Sequence, residues 1–215
     1  MYNPVPFAED RIDVLHAFLQ QHPLAVLVTC GPDGPEATHV PVVLHPEMAP
    51  KGLLRCHFAR ANAQWKTMQS SPSVLAVFQG SQHYITPSWY AAKQEHGRVV
   101  PTWNYVAVHV RGQARLFEEE AELLQHLRAL TRQNEQGFEK PWSLDDAPQD
   151  YLAALSKGIV GIEIAIDAIE GKWKLSQNRP ESDQQGIVAG LNATNSPASL
   201  EMAQLVKQRG FRPGS

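Results

Sequence analysis

Two short stretches of this chain concentrate groups that can hold an anion. Phe58-Ala59-Arg60-Ala61-Asn62-Ala63-Gln64-Trp65-Lys66 supplies two cations and two amides where an apolar strand pattern gives way to a helix-like one. Free N–H groups at a helix start and a planar guanidinium suit the oxygens of a phosphate; a surface charge cluster beside a buried Trp fits the same residues. Glu170-Gly171-Lys172-Trp173-Lys174-Leu175-Ser176-Gln177-Asn178-Arg179 places two lysines and an arginine around an indole. These cations suit a phosphate or the face of a flat ring, and the Ser, Gln and Asn side chains suit the polar edge of such a ring. A solvated turn or a local nucleic-acid contact fits them as well. His39, His57, His83 and His109 lie on or beside strand-like runs. Without i, i+4 spacing or a carboxylate companion they point to hydrogen bonding and interfaces, and no metal is expected.

Common catalytic signatures are missing. No phosphate-binding Gly-x-x-x-x-Gly-Lys-Ser/Thr, Gly-x-Gly-x-x-Gly, His-Glu-x-x-His, Cys-x-x-Cys or Gly-x-Ser-x-Gly occurs, which argues against nucleotide hydrolysis, Rossmann-type dinucleotide binding, zincin chemistry and the usual hydrolase elbow.

The elements that must position the two clusters are mostly strands. Ile12, Leu15 and Leu19 recur at helical spacing over 9–21, and Pro23 stops that helix. Leu24 to Thr29, the turn Gly31-Pro32-Asp33-Gly34, and Glu36 to Leu44 read as a hairpin. Gly52 to Ala59 alternates, with Leu54, Cys56 and Phe58 toward a core and Arg55 and His57 away from it. A short helix over 61–70 precedes a strand region from Val74 to Ile85, which Gly80 is placed to break or bend. The 86–100 segment reads as a long aromatic loop. From Trp103 to Arg115, Val106, Val108 and Val110 face one way; Trp103, Tyr105, His109 and Arg111 face the other, as on a strand that covers a ligand or a second subunit. Leu123, Leu124, Leu127 and Leu130 mark an amphipathic helix, and 150–157 a short one. Val160, Ile162, Ile164 and Ile166 alternate along a last strand. Gly186 to Pro197 reads as a linker, after which Ser196 caps a helix with Pro197 at its first position, ending near Gly210. Six strands with helices before, between and after them indicate a mainly β protein, an antiparallel barrel with peripheral helices.

At 215 residues with 43% hydrophobic and 19% charged residues, the expectation is one globular domain. A net charge of −3 gives no general attraction for nucleic acid, so any DNA contact has to be local. Cys30 and Cys56 lie at or inside apolar runs and read as structural thiols. No membrane span or secretory leader is expected, and a cytoplasmic location follows.

Four stretches taken together, Ala59-Arg60-Ala61-Asn62, Tyr84-Ile85-Thr86-Pro87-Ser88-Trp89-Tyr90, Val100-Pro101-Thr102-Trp103-Asn104-Tyr105 and Gly171 to Arg179, resemble the PaiB family of FMN-binding negative transcriptional regulators. Thr86 and Ala63 stand where the family pattern has Ser and Pro. The resemblance implies a six-stranded antiparallel split β-barrel of Greek-key type over 1–191, similar to pyridoxamine-phosphate oxidase and the flavin reductases, with 192–215 a linker and C-terminal helix. It implies FMN at the interface of a homodimer, its phosphate met by Arg60 and Asn62, with Lys66 as a further candidate. Lys172, Lys174, Ser176, Gln177 and Asn178 would then sit near the flavin or the dimer seam, and Trp103 and Asn104 would line it. Regulation of transcription is the function implied, although no basic recognition helix for DNA is visible; an FMN-dependent oxidoreductase is the alternative, with no residue assigned as catalytic.

Overall fold

The computed structural model describes residues 1–209. Eight strands form one sheet: β1 (Ala8–Glu9), β2 (Leu24–Gly31), β3 (Gly34–Pro41), β4 (Val43–His45), β5 (Leu53–Ala59), β6 (Ser73–Ile85), β7 (Thr102–Phe117) and β8 (Ile159–Lys174). The order is β3-β2-β6-β7-β8-β5-β4, with β1 paired to β8. The sheet is mainly antiparallel, and the helices are α1 (Ile12–Gln21), α2 (Gln64–Ser70), α3 (Ala92–Glu95), α4 (Glu120–Glu135), α5 (Gln149–Ser156), α6 (Glu181–Thr194) and α7 (Pro197–Arg209).

The expected six-stranded barrel is thus an eight-stranded sheet, and the two extra strands have identifiable origins. The run expected as one strand over 36–44 is divided at Val42. Pro41 has no N–H to give a ladder, and the Val42 N–H donates instead to Pro23 O at 2.9 Å. β3 and β4 therefore stand at opposite ends of the strand order although one residue separates them in the chain. The second addition is β1, which pairs Ala8 with Lys172 and Glu9 with Gly171. Gly80 neither breaks nor ends β6, which runs unbroken for 13 residues.

Backbone contacts divide the chain into two compact units. One comprises 11–78 and 109–169. Its core is the alternation read from the sequence: Leu54, Cys56 and Phe58 on β5 and Val160, Ile162 and Ile164 on β8 are all buried, as are Leu15 and Leu19 of α1. β5 lies antiparallel to β8 with Cys56 opposite Ile162. Burial pushes the Cys56 thiol up to about 12, so it is an inert core group. Cys30, read as its structural counterpart, is exposed instead at the end of β2.

The polar face of β5 departs from expectation. Arg55 is buried, and so is His126 of α4, because α4 lies over that face with Leu123 and His126 inward; Leu124, Leu127 and Leu130 are only half-buried. The Arg55 guanidinium pairs with Glu163 of β8 (2.6 Å) and Glu122 of α4 (3.3 Å), and Arg115 of β7 joins the same two carboxylates. Both guanidinium groups lie over the Phe117 ring, at 5.4 and 5.8 Å. Beside them His57 Nδ1 and His126 Nε2 share a hydrogen bond of 3.0 Å.

The other unit comprises 1–10, 79–108 and the chain from Glu170 onward. The expected linker over 186–197 is largely helix: α6 runs from Glu181 to Thr194 and buries Ile187, Val188 and Leu191. The expected boundary between residues 191 and 192 falls inside it. The glycines that suggested a linker have a packing reason. A Cβ at Gly190 would lie 2.3 Å from the Trp89 indole, and one at Gly186 1.9 Å from Trp89 O. The 86–100 segment is accordingly docked on α6: a 3-10 turn over Pro87–Trp89, then α3, with the Ala92 N–H donating to Asp183 Oδ1 at 3.0 Å. The cap read at Ser196 is present. Its Oγ accepts from the Ser199 N–H (3.1 Å), the Ser199 Oγ accepts from the Ser196 N–H (2.9 Å), and Pro197 opens α7. The expected end near Gly210 lies outside the described residues. No helix among the described residues is long and apolar enough to cross a membrane.

Candidate functional site

The first sequence cluster is held in the 11–78 and 109–169 unit, and its polar atoms are largely engaged. Arg60 follows the end of β5; its guanidinium meets Glu118 at 2.6 Å and donates to the carbonyls of Lys157 and Ile159. It ties the turn before β8 to the end of β5. Asn62 stands two residues before α2: its Oδ1 accepts from the Gln64 N–H, and its Nδ2 donates to Thr38 Oγ1. Gln64, which sequence reading noted only as one of two amides, is the hub. Fully buried, it shares its two Nε2 hydrogens among Leu27 O, Thr29 Oγ1 and Glu36 O, and its Oε1 accepts from Thr38 Oγ1. Lys66 is exposed, with Nζ 5.7 Å from the Trp65 ring. Of the three proposed phosphate ligands, Lys66 alone has a head group with no protein acceptor among the described residues.

The second cluster is built differently. β8 continues past its expected end to Lys174, so Lys172 and Lys174, two residues apart, leave the strand on the same side. The chain then turns sharply at Ser176, whose φ of 64° is left-handed. Gln177 locks this turn by accepting from the Leu175 N–H (2.7 Å) and donating to Trp173 O (2.5 Å), while the Arg179 N–H returns to Ser176 O. Ser176 Oγ donates to Oδ1 of Asn104 on β7 at 3.0 Å. Asn104 is fully buried, and its Nδ2 has no partner. Lys174 Nζ donates to Thr102 Oγ1 and, at 2.9 Å, to Trp103 O. Lys172 is buried, donates to Tyr2 O, and lies 5.4 Å from both the Tyr2 and Tyr105 rings. Asn178 and Trp103 are exposed.

Electrostatics separates the two clusters. Arg60 is neutralised by Glu118, whereas among the described residues no carboxylate pairs with Lys172 or Lys174. Burial, with repulsion from Lys172 and Arg179, lowers the Lys174 pKa. A half-buried set of like charges is costly unless an anion joins it. The Trp173 ring, which sequence reading offered as a stacking surface, is buried and covered by the Arg209 guanidinium at 4.5 Å, itself paired with Glu9. Trp103 is an open aromatic surface in this unit, met edge-on by the half-exposed Tyr84 at 6.0 Å, and Tyr2 is exposed as well. Near Lys174, Arg179 lies over Tyr90 at 4.7 Å.

Residues 1–168 match the family model described as "Putative FMN-binding domain". The chain is 33% identical to the protease synthase and sporulation protein PAI 2 of Bacillus subtilis, over 97% of this chain and 98% of that one. It is 34% identical to an uncharacterised protein of Emericella nidulans, over 98% of each. Among solved structures, a conserved hypothetical protein of Mycobacterium tuberculosis shares the fold at a TM-score of 0.58 and 14% identity, over 84% of this chain and 95% of that one. The FAD and heme binding protein of Mycobacterium smegmatis does so at 0.58 and 15%, over 84% and 78%. The family match over residues 1–168, with 33% identity to PAI 2 along nearly the whole of both chains, makes this protein a member of the PaiB family of FMN-binding domains.

Proposed function

We propose that this chain binds FMN, and that Lys172, Lys174 and Arg179 with Asn104 and Ser176 are its main contribution to the site. The observation that carries the reading is a set of three cations, none paired with a carboxylate among the described residues, beside a buried amide N–H with no acceptor. Those features fit a group with a phosphate and a flat ring of polar edges. Gln177 holds the turn that presents Ser176, Asn178 stands exposed beside it, and Trp103 offers an open aromatic face. When bound, FMN supplies redox chemistry; the residues named here bind it and neutralise its charge. Arg60 and Asn62 in this reading brace the fold around a second, weaker anion contact at Lys66.

Trp103, Tyr84 and Val100 are large apolar groups about half exposed or more within one unit, and they support a homodimer that covers them. Their burial beside the proposed flavin contacts would make dimerisation respond to occupancy. That is a means of regulation without turnover, in line with a PaiB-like negative transcriptional regulator. The acidic net charge favours action through a local DNA contact or a protein partner over broad DNA affinity.

FMN titration followed by fluorescence separates the assignments. Lys174→Gln should weaken binding by roughly 10- to 100-fold, the loss of one charge-assisted hydrogen bond, with an unchanged thermal melt. Arg60→Ala should mainly lower the melting temperature. The opposite pattern, tight binding by Lys174→Gln and a well-folded Arg60→Ala that has lost FMN, would move the phosphate to Arg60 and overturn this site. Consumption of NADH or NADPH by the loaded protein would establish the oxidoreductase alternative.

A further inference from the structure

A concave site lies in the 11–78 and 109–169 unit, between the end of α4 and the segment before α5. Its volume is about 260 Å³, and its lining includes Thr131, Arg132, Glu135 and Gln136 on the helix and Pro141 to Asp145 opposite. An apolar cavity of roughly 150 Å³ takes one benzene ring, so this space holds a ring with a few additional polar atoms.

The walls are fixed from within. The Trp142 backbone N–H donates to Glu135 Oε2 at 2.9 Å, which ties the Trp142 backbone to the helix end, and the Trp142 side chain is nearly half exposed. Ser143 and Asp146 form a reciprocal cap on the next turn, Leu144 is buried, and Arg128 closes one end by pairing with Asp145. An exposed indole carried on an anchored backbone offers a face for stacking.

The charges select the occupant. Of the four ionisable groups in the lining, Arg128 and Asp145 satisfy each other. Arg132 has no acceptor for its guanidinium among the described residues. Glu135 uses one oxygen on Trp142 and leaves the other free. These two side chains, three residues apart on α4, form no ion pair with each other. A site with one open cation, one open anionic oxygen and an aromatic wall matches a small zwitterion bearing a flat side chain. We propose that this pocket binds a free aromatic α-amino acid: its carboxylate on Arg132, its ammonium on Glu135, its ring against Trp142.

The test is isothermal titration of the full chain with L-phenylalanine, alongside benzoate and phenethylamine, which carry one charge each. L-Phenylalanine should bind saturably and at least ten times more tightly than either analogue. Arg132→Gln and Glu135→Gln should each weaken it about tenfold or more; the second keeps an amide oxygen for the Trp142 N–H, so the wall survives while the charge goes. Trp142→Leu should weaken all three compounds. Absence of saturable L-phenylalanine binding to protein with a normal melt would overturn the proposal. So would equal affinity for benzoate, or binding indifferent to both charge-removing variants. FMN affinity of the Arg132 and Glu135 variants should match the parent, which keeps this result independent of the flavin reading.

Discussion

Glu163→Ala is expected to destabilise the fold by about 3–5 kcal/mol, the range found when one partner of a buried ion pair is removed. Arg55 is the reason. Its side chain is 8% exposed, and Glu163 holds it through two bonds, from Nε at 2.8 Å and Nη2 at 2.6 Å. Without Glu163 the guanidinium keeps one longer contact, to Glu122 at 3.3 Å, and the Phe117 face. Burial by itself would raise the Glu163 pKa; hydrogen bonds from Arg115 and Arg55 outweigh it and lower the pKa, so the carboxylate is charged in the folded chain. Arg115→Ala supplies the contrast. That side chain is 54% exposed, and losing its surface pairings should cost no more than about 1 kcal/mol. Urea unfolding near neutral pH measures both. A loss under about 1 kcal/mol for Glu163→Ala would mean that water reaches Arg55 and that α4 does not seal this face.

Acid should destabilise the protein well before its carboxylates titrate, with His126 as the main cause. Burial, followed by the nearby His57, Arg55 and His45, pulls the His126 pKa down to about 3. Its Nε2 shares the hydrogen bond with His57 and its Nδ1 has no partner, so a second ring proton has no place to go. The unfolded chain, with an imidazole near 6.5, takes up that proton readily. Between the two values the unfolded state therefore binds more protons, and stability falls as pH drops, by about 1.4 kcal/mol per pH unit. The contribution is fully present above about pH 6.5. About 2.7 kcal/mol is gone by pH 4.5. Burial lowers the His57 pKa too, which acts in the same direction. His126→Phe removes the titrating group at a cost of roughly 1 kcal/mol at neutral pH for the lost hydrogen bond. Its deficit should shrink as the pH falls and reverse near pH 6. Parallel pH profiles for parent and variant in urea melts from pH 4.5 to 7.5 would show that the acid sensitivity resides elsewhere.

Both effects concern residues whose importance lay outside the reach of the sequence pattern. Alternation on β5, β7 and β8 specified which side chains make the core, because a strand's period of two is a local property of the backbone. The same holds for Ser196 and Pro197 at the start of α7, where a hydroxyl reaching an N–H three residues on is a short-range event. The cation cluster from Lys172 to Arg179 was also visible, since charge density is a property of composition along the chain. Whether a polar face is covered is not local. Arg55 and His57 alternate outward from the core residues of β5 and read as exposed; α4, more than sixty residues later, lies over them and makes an ion-pair network of what looked like surface. Arg60 looked like a free cation until Glu118, 58 residues away, was placed against it. Gly186 and Gly190 read as a linker because a helix interior disfavours glycine; here they make room for Trp89, nearly a hundred residues earlier. The sequence by itself determined the alternation of the long strands, the cap at Ser196 and where cations cluster along the chain. The tertiary structure decided which cations remain unpaired, because neutralisation and burial depend on neighbours that chain order does not bring together.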